Sequence, residues 1–191
     1  MKKKDNHKSC ELETIRKNID SIDEKIQLLI NDRARLAKEI GLTKNKKGSS
    51  TDFYKPERES DVIKSVIHRN DGPLSNDEMV RLFREIMSAC LAQQEPLKIG
   101  FLGPEGTFTQ SAVFKHFGHS VKGLPFGLID EVFQEVEAQT ADFGVVPIEN
   151  STEGTVNNTL DMFVTSPLKI CGEIELKIEH HLLGKMKDIR K

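Results

Sequence analysis

LETIRKNIDSIDEKIQLLINDRARLAKEI, residues 12–40, decides how the first half of this chain folds. Apolar side chains at Leu12, Ile15, Ile19, Ile22, Ile26, Leu29, Leu36 and Ile40 alternate spacings of three and four, the a/d period of a helical seam. One slot breaks the pattern, because Arg33 stands where an apolar residue is due. A charge on a buried stripe costs roughly several kcal/mol unless something pairs with it. The helix therefore either carries this guanidinium to water or holds it for an anion. A helix over residues 10–41 would be roughly 48 Å long at about 1.5 Å per residue. A compact domain of about 95 residues has a radius of gyration of only ~12 Å. Two short companion helices could not cover such a rod, so the economical arrangement is a homodimer whose long helices share a core. A helix that merely links domains has no need of a continuous seam.

Outward from that helix, Gly41 is expected to end it, and KNKKGSSTD reads as a solvent-facing loop. A second helix opens at Pro56, a favoured first-turn position, with Glu57 and Glu59 at its positive end. Its apolar face is Val62, Ile63, Val66 and Ile67, and Asn70-Asp71-Gly72-Pro73 stops it. Ser75 and Glu78 form a capping box for a third helix. That helix carries Met79, Leu82, Phe83, Ile86, Met87, Cys90 and Leu91 on one side, and Pro96 closes it.

From Leu97 the pattern changes to strand, glycine turn, helix, strand. LKIGFLG reads as a buried strand and GPEGTFT as a turn into a helix ending at Phe117. After a Gly/Pro-rich link, Leu128 to Ala138 reads as helix, FGVVPI as strand, ENSTEGTV as loop and NTLDMFV as a short helix. KICGEIELKIEHHLL reads as a final strand region. Alternating strands and helices imply a mainly parallel sheet. The fold class is thus α plus α/β, with a helical domain over 1–95 and an α/β domain over 96–191.

The chain has 191 residues, 37% hydrophobic and 30% charged, with a net charge of −2. Those proportions fit a soluble globular protein, and the near-neutral balance points to neither nucleic acid nor membrane as partner. Cys10, Cys90 and Cys171 are odd in number and far apart, which argues for a reducing compartment over a disulfide framework. The MKKK start lacks the apolar core of a signal segment, and no run approaches bilayer-spanning length. The expected location is the cytoplasm.

Arg33 is one of several polar residues placed on apolar faces. Glu59 lies four residues before Ile63 and seven before Val66, and Gln94 extends the face of Phe83, Met87 and Cys90. Arg58 and Lys44 flank the connecting loop. Singly, each has a bland explanation: an internal pair, a helix-dipole contact, a frayed end. Together they imply a polar pocket for a small polyanion. Arg16 lies 17 residues before Arg33, roughly 26 Å along one axis, so both can grip one ligand only from different subunits.

The run from Ile15-Arg16 through IDEKIQLLINDRARLAKEIG, then Lys44, PERE and REIMSACLAQQ, resembles the all-helical chorismate mutase family. The resemblance implies an intertwined dimer that rearranges chorismate to prephenate without metal or other cofactor. It further implies that Arg33 and the partner's Arg16 hold the two carboxylates and that Arg58 lines the site. Lys44 and Gln94 would hydrogen-bond the ether oxygen, and Glu59 the ring hydroxyl. Lys55 and Cys90 depart from residues found in some relatives.

In the second half, VVPIENSTEGTV delivers Asn150, Ser151, Thr152 and Thr155 into a loop before a helix, where hydroxyls, an amide and N–H groups can meet a carboxylate. GPEGTFT alone is weak evidence of an anion site. GPEGTFTQSA, VVPIENSTEGTVNNTLD and GEIELKIEHHLL, in that order, resemble the start of prephenate dehydratase. That family has a two-lobed fold of periplasmic-binding-protein type and expels water and carbon dioxide from prephenate to give phenylpyruvate. The resemblance places its Thr-Arg-Phe motif downstream of Lys191, so the expectation is a partial lobe, inactive as a dehydratase. Joined to a mutase, the pair resembles the bifunctional enzyme of phenylalanine biosynthesis. The competing readings are a mutase whose α/β lobe is only a ligand-binding appendage, and a helical interaction module without chemistry. His116, His119, His180 and His181 have no cysteine or carboxylate set around them and are expected to be exposed or packing residues, with no metal.

Overall fold

A computed structural model describes residues 3–45, 54–150 and 154–179, with side chains in the first stretch from residue 11 to 43. Helix α1 runs Lys3–Asn45, longer at both ends than the seam required. Neither Gly nor Pro interrupts its start. Gly41 does not stop it, because that glycine is buried where α1 touches Gln94: a Cβ there would lie 2.8 Å from the Gln94 Cγ. The glycine serves a close approach.

Helix α2 (Pro56–Arg69) begins at the expected proline, and α3 (Asn76–Leu91) at the expected capping box. The Ser75 Oγ accepts from the Glu78 N–H at 3.3 Å, and the Glu78 carboxylate accepts from the Ser75 N–H at 2.8 Å. Helix α3 stops at Leu91, before Pro96, and the Gln94 N–H donates to the Leu91 carbonyl at 2.9 Å in a closing turn. Gln94 therefore projects from a turn after the helix. Val66 and Cys90 are buried between the short helices, while Leu82, expected on the inner face, is exposed.

The seam of α1 is uncovered. Leu12, Ile15, Ile19, Ile22, Ile26, Leu29, Leu36 and Ile40 are each between 48% and 68% exposed. Only its C-terminal part, around Ala34, Ala37 and Gly41, is screened by the rest of the chain.

The second half contains a parallel three-stranded sheet in the order β2-β1-β3. Strand β1 (Lys98–Leu102) is central, flanked by β2 (Lys122–Phe126) and β3 (Phe143–Val145). Helix α4 (Phe108–Phe117) crosses from β1 to β2, and α5 (Ile129–Glu137) from β2 to β3. Ile99, Phe101 and Val113, each 0% exposed, form the centre of its core, and Val132 and Phe133 from α5 are also buried.

The link expected at residues 122–126 is strand β2. Its glycine and proline disguise it, yet the ladder tolerates both. The Lys122 N–H donates to the Leu97 carbonyl and the Gly103 N–H to the Phe126 carbonyl, so Pro125 turns its missing donor to the outer edge. The loop after β3 holds a two-residue hairpin, β4 (Glu149–Asn150) with β5 (Gly154–Thr155), before α6 (Asn157–Thr165). The buried Thr159 hydroxyl donates to the Pro147 carbonyl at 2.7 Å and ties α6 beneath that loop.

The expected last strand is not formed over residues 169–179; the rest of that run lies outside the described residues. A strand exists through its ladder, and the Glu175 carbonyl instead accepts from the Lys115 Nζ at 2.6 Å.

Candidate active site

A cavity of about 470 Å³ opens where α1, α2, α3 and the α/β lobe meet. Arg33, Arg58, Glu59 and Gln94 all line it, although they come from two helices and one turn. Lys55 and Cys90 line it too. Arg33 has no ion-pair partner among the described residues, so it is not consumed by an internal bridge. Among the described residues, the Gln94 Oε1 is buried without a hydrogen-bond partner. A buried amide oxygen left open costs free energy until a donor reaches it. Lys44 lies in the last turn of α1, and its side chain lies outside the described residues. Arg16 is exposed on the distal part of α1 and does not line this cavity.

Glu59 carries partners that the sequence pattern does not reveal. Its Oε1 lies 3.7 Å from the Arg84 Nε, an ion-pair contact too long for a hydrogen bond, and the Tyr54 hydroxyl acts on the carboxyl as a donor that lowers its pKa. Burial raises its pKa above the ordinary 4.5, outweighing the lowering by Tyr54 and Arg84. Burial, followed by the Glu59 charge, likewise holds the Tyr54 phenol well above its ordinary value. His116, from α4, lines the cavity; burial first and the Arg84 charge second push its pKa down and favour the neutral ring.

Arg84 could have been found by the signal that exposed Arg33. It lies three residues before Met87 and seven before Leu91, a charge on the inner face of α3. Tyr54 left only its position before Lys55-Pro56 as a clue.

The second group of expected residues is only partly brought together. Asn150 sits in β4 opposite Gly154, and Thr155 in β5 opposite Glu149, both exposed. Ser151 and Thr152 lie outside the described residues. At GPEGTFT the Gly106 N–H donates to the Gln110 Oε1 at 2.7 Å and the Gln110 N–H to the Thr107 Oγ1 at 3.4 Å. The turn thus spends part of its donor set on its own side chains. His119 stacks on Phe114 and bonds Glu85 at 2.7 Å, a packing role as expected, whereas His116 has gained a place in the cavity. His180 and His181 lie outside the described residues.

Residues 15–95 match the family chorismate mutase type II, and residues 99–191 match prephenate dehydratase. The two matches fall on the helical half and on the α/β half in turn. The chain is similar to the bifunctional chorismate mutase/prephenate dehydratase of Stutzerimonas stutzeri, at 56% identity over 91% of this chain and 48% of that protein. The protein of the same description from Pseudomonas aeruginosa is 54% identical, again over 91% of this chain and 48% of its own length. The chain thus spans about half the length of the curated relatives it matches. Among solved structures, the chorismate mutase (form II) of Thermus thermophilus is similar at 30% identity and a TM-score of 0.42, covering 44% of this chain and 94% of that one. The mutase segment holds the cavity's Arg33, Arg58, Glu59 and Gln94, and the dehydratase segment supplies part of its wall.

Proposed function

We propose that the helical domain, residues 1–95, is a chorismate mutase, and that residues 96–191 belong to a prephenate dehydratase domain of periplasmic-binding-protein type. The observation that carries the first reading is one cavity lined by Arg33, Arg58, Glu59 and Gln94. Its volume of about 470 Å³ suits a small dianion.

Chorismate to prephenate is a Claisen rearrangement. The ether C–O bond breaks as a C–C bond forms, and no proton, nucleophile or electron carrier is needed. Catalysis then rests on holding a compact conformer and stabilising the charge that develops on the ether oxygen. Arg33 and Arg16 of the partner subunit take the two carboxylates, with Arg58 beside them. Lys44 and Gln94 donate to the ether oxygen, and Glu59 accepts from the ring hydroxyl. The uncovered seam of α1 supports the homodimer, because covering each half-exposed Ile or Leu is worth about 1 kcal/mol and the row is continuous. Among the described residues no helix is long and apolar enough to cross a membrane, in keeping with a cytoplasmic enzyme of phenylalanine biosynthesis.

In the second domain, Asn150, Ser151, Thr152 and Thr155 form one side of a prephenate site, from which the complete enzyme releases phenylpyruvate, water and carbon dioxide. Following chorismate loss in the purified protein tests the mutase reading. Lys44→Ala should abolish most of that turnover while the dimer persists by light scattering. Near-normal turnover in this variant would sink the assignment.

A further inference from the structure

The cavity carboxyl faces two residues, Tyr54 and Arg84, whose other ends are held by the dehydratase segment. The Tyr54 hydroxyl reaches Glu59, while its ring packs on Phe117 of α4 and Phe143 of β3 at centroid distances of 5.8 and 5.2 Å. Tyr54 is thereby attached to the core cluster of the α/β lobe. Arg84 faces Glu59 through its Nε at 3.7 Å, and its other edge donates from Nη1 to the Lys115 carbonyl of α4 at 3.2 Å. The contact between lobes is close. The Ser120 N–H donates to the Ser88 Oγ at 3.2 Å, and a Cβ on Gly118 would lie 2.6 Å from the Ser88 Cβ.

We infer that Tyr54 and Arg84 are positioning residues through which the docked α/β lobe orients Glu59 in the mutase pocket. Neither has to touch substrate. A carboxyl on a long side chain, offered a hydroxyl on one side and a guanidinium on the other, loses its freedom to swing, and the lost freedom need not be recovered from substrate binding. Because both grips end in α4 and β3, movement of that lobe would change the pocket. The charged and titratable groups sharing the cavity with Glu59 are Arg33 on α1, Tyr54 and Lys55 before α2, Arg58 on α2, Arg84 and Cys90 on α3 and His116 on α4. Of these, Tyr54 and Arg84 favour the charged carboxylate directly.

The inference rests on the mutase reading of the pocket, so two readouts are taken on the full chain. One is the pH profile of kcat/KM for chorismate; the other is the titration of the Glu59 carboxyl by carbon-13 NMR in glutamate-labelled protein. Tyr54→Phe keeps the ring packing and removes only the hydroxyl; Arg84→Gln removes the charge. Each should lower kcat/KM severalfold to roughly tenfold, the scale of losing one polar or ionic contact to a partly buried carboxylate. Each should also move the acid limb and the carboxyl titration to higher pH, and Arg84→Lys should recover part of both. Phe143→Leu, an apolar exchange in β3 that removes the ring beside Tyr54, should shift the titration in the same direction by less. Wild-type titration in both Tyr54→Phe and Arg84→Gln overturns the inference. So does a shift in those two with none in Phe143→Leu, which would confine the grip to the helical segment. Absence of chorismate turnover in the wild type would overturn the mutase reading instead, and the carboxyl titrations would still decide the coupling.

Discussion

The helical half and the α/β half meet their apolar residues in opposite ways. The α/β lobe has a closed core, to which Tyr54 and Leu91 of the helical half add a wall: Ile99, Phe101 and Val113 are fully buried within one chain. The helical half buries Val66 and Cys90 among its described hydrophobics and leaves the whole α1 seam in solvent. What each half offers chemically is reversed. The open half gathers four of its expected polar side chains into one cavity, whereas the closed half displays Asn150 and Thr155 on an exposed hairpin. A self-sufficient core and an assembled pocket are therefore separate achievements. The pocket here draws its walls from both halves.

The largest break in that contrast should come from Ile22→Glu, in the middle of the seam. The proposed dimer should fall to monomer in light scattering, and the proposed chorismate turnover should drop roughly a hundredfold or more as the partner subunit's contacts are lost. The α/β lobe's hydrogen-exchange protection should stay as it was. Phe101→Ala makes the converse cut: emptying that fully buried site should cost the α/β lobe about 3–5 kcal/mol, read as a lower midpoint in denaturant. Ser75→Ala removes one half of the reciprocal cap on α3 and should cost about 1 kcal/mol, visible as faster exchange in the first turn of that helix.

The smallest effect concerns pH. The folded-state pKa of Glu59 is raised, so its contribution to stability is whole below 4.5 and is lost as pH climbs through the raised value. Glu59→Gln removes that loss. Its stability relative to wild type should therefore improve as pH rises above 4.5 and level off once the wild-type carboxyl has ionised, in parallel denaturation curves, while its mutase activity falls. A pH-independent difference would show that the carboxyl is not desolvated in solution.

Periodic elements are readable because each side chain repeats the same message. The α1 seam, the Pro56 start and the Ser75–Glu78 cap all announce themselves locally, and Arg33 stands out because the row around it is regular. Strand β2 is hidden because KGLPF is poor strand sequence, and only an edge position lets Pro125 sit in it without breaking a ladder bond. The last expected strand fails for the complementary reason. KICGEIEL has suitable composition, but strand formation depends on a partner that composition does not specify. Tyr54 and His116 escape a sequence reading because their importance lies between the two halves, and neither half alone displays it; Arg84 shows in the sequence only as a charge on an apolar face. The spacing of Glu59 points to the pocket; its grip does not show in any spacing.

Pro125 carries one more consequence. A parallel sheet with two free edges invites other chains to pair with it, and those edges are a common route to aggregation. On β2 the invitation is spoiled, since an incoming strand would find a pyrrolidine ring where a backbone donor should be. On the other edge Phe143, Gly144 and Val145 keep their backbone donors. The two edges of the sheet thus differ in what they offer an incoming strand, and a single imino acid makes the difference.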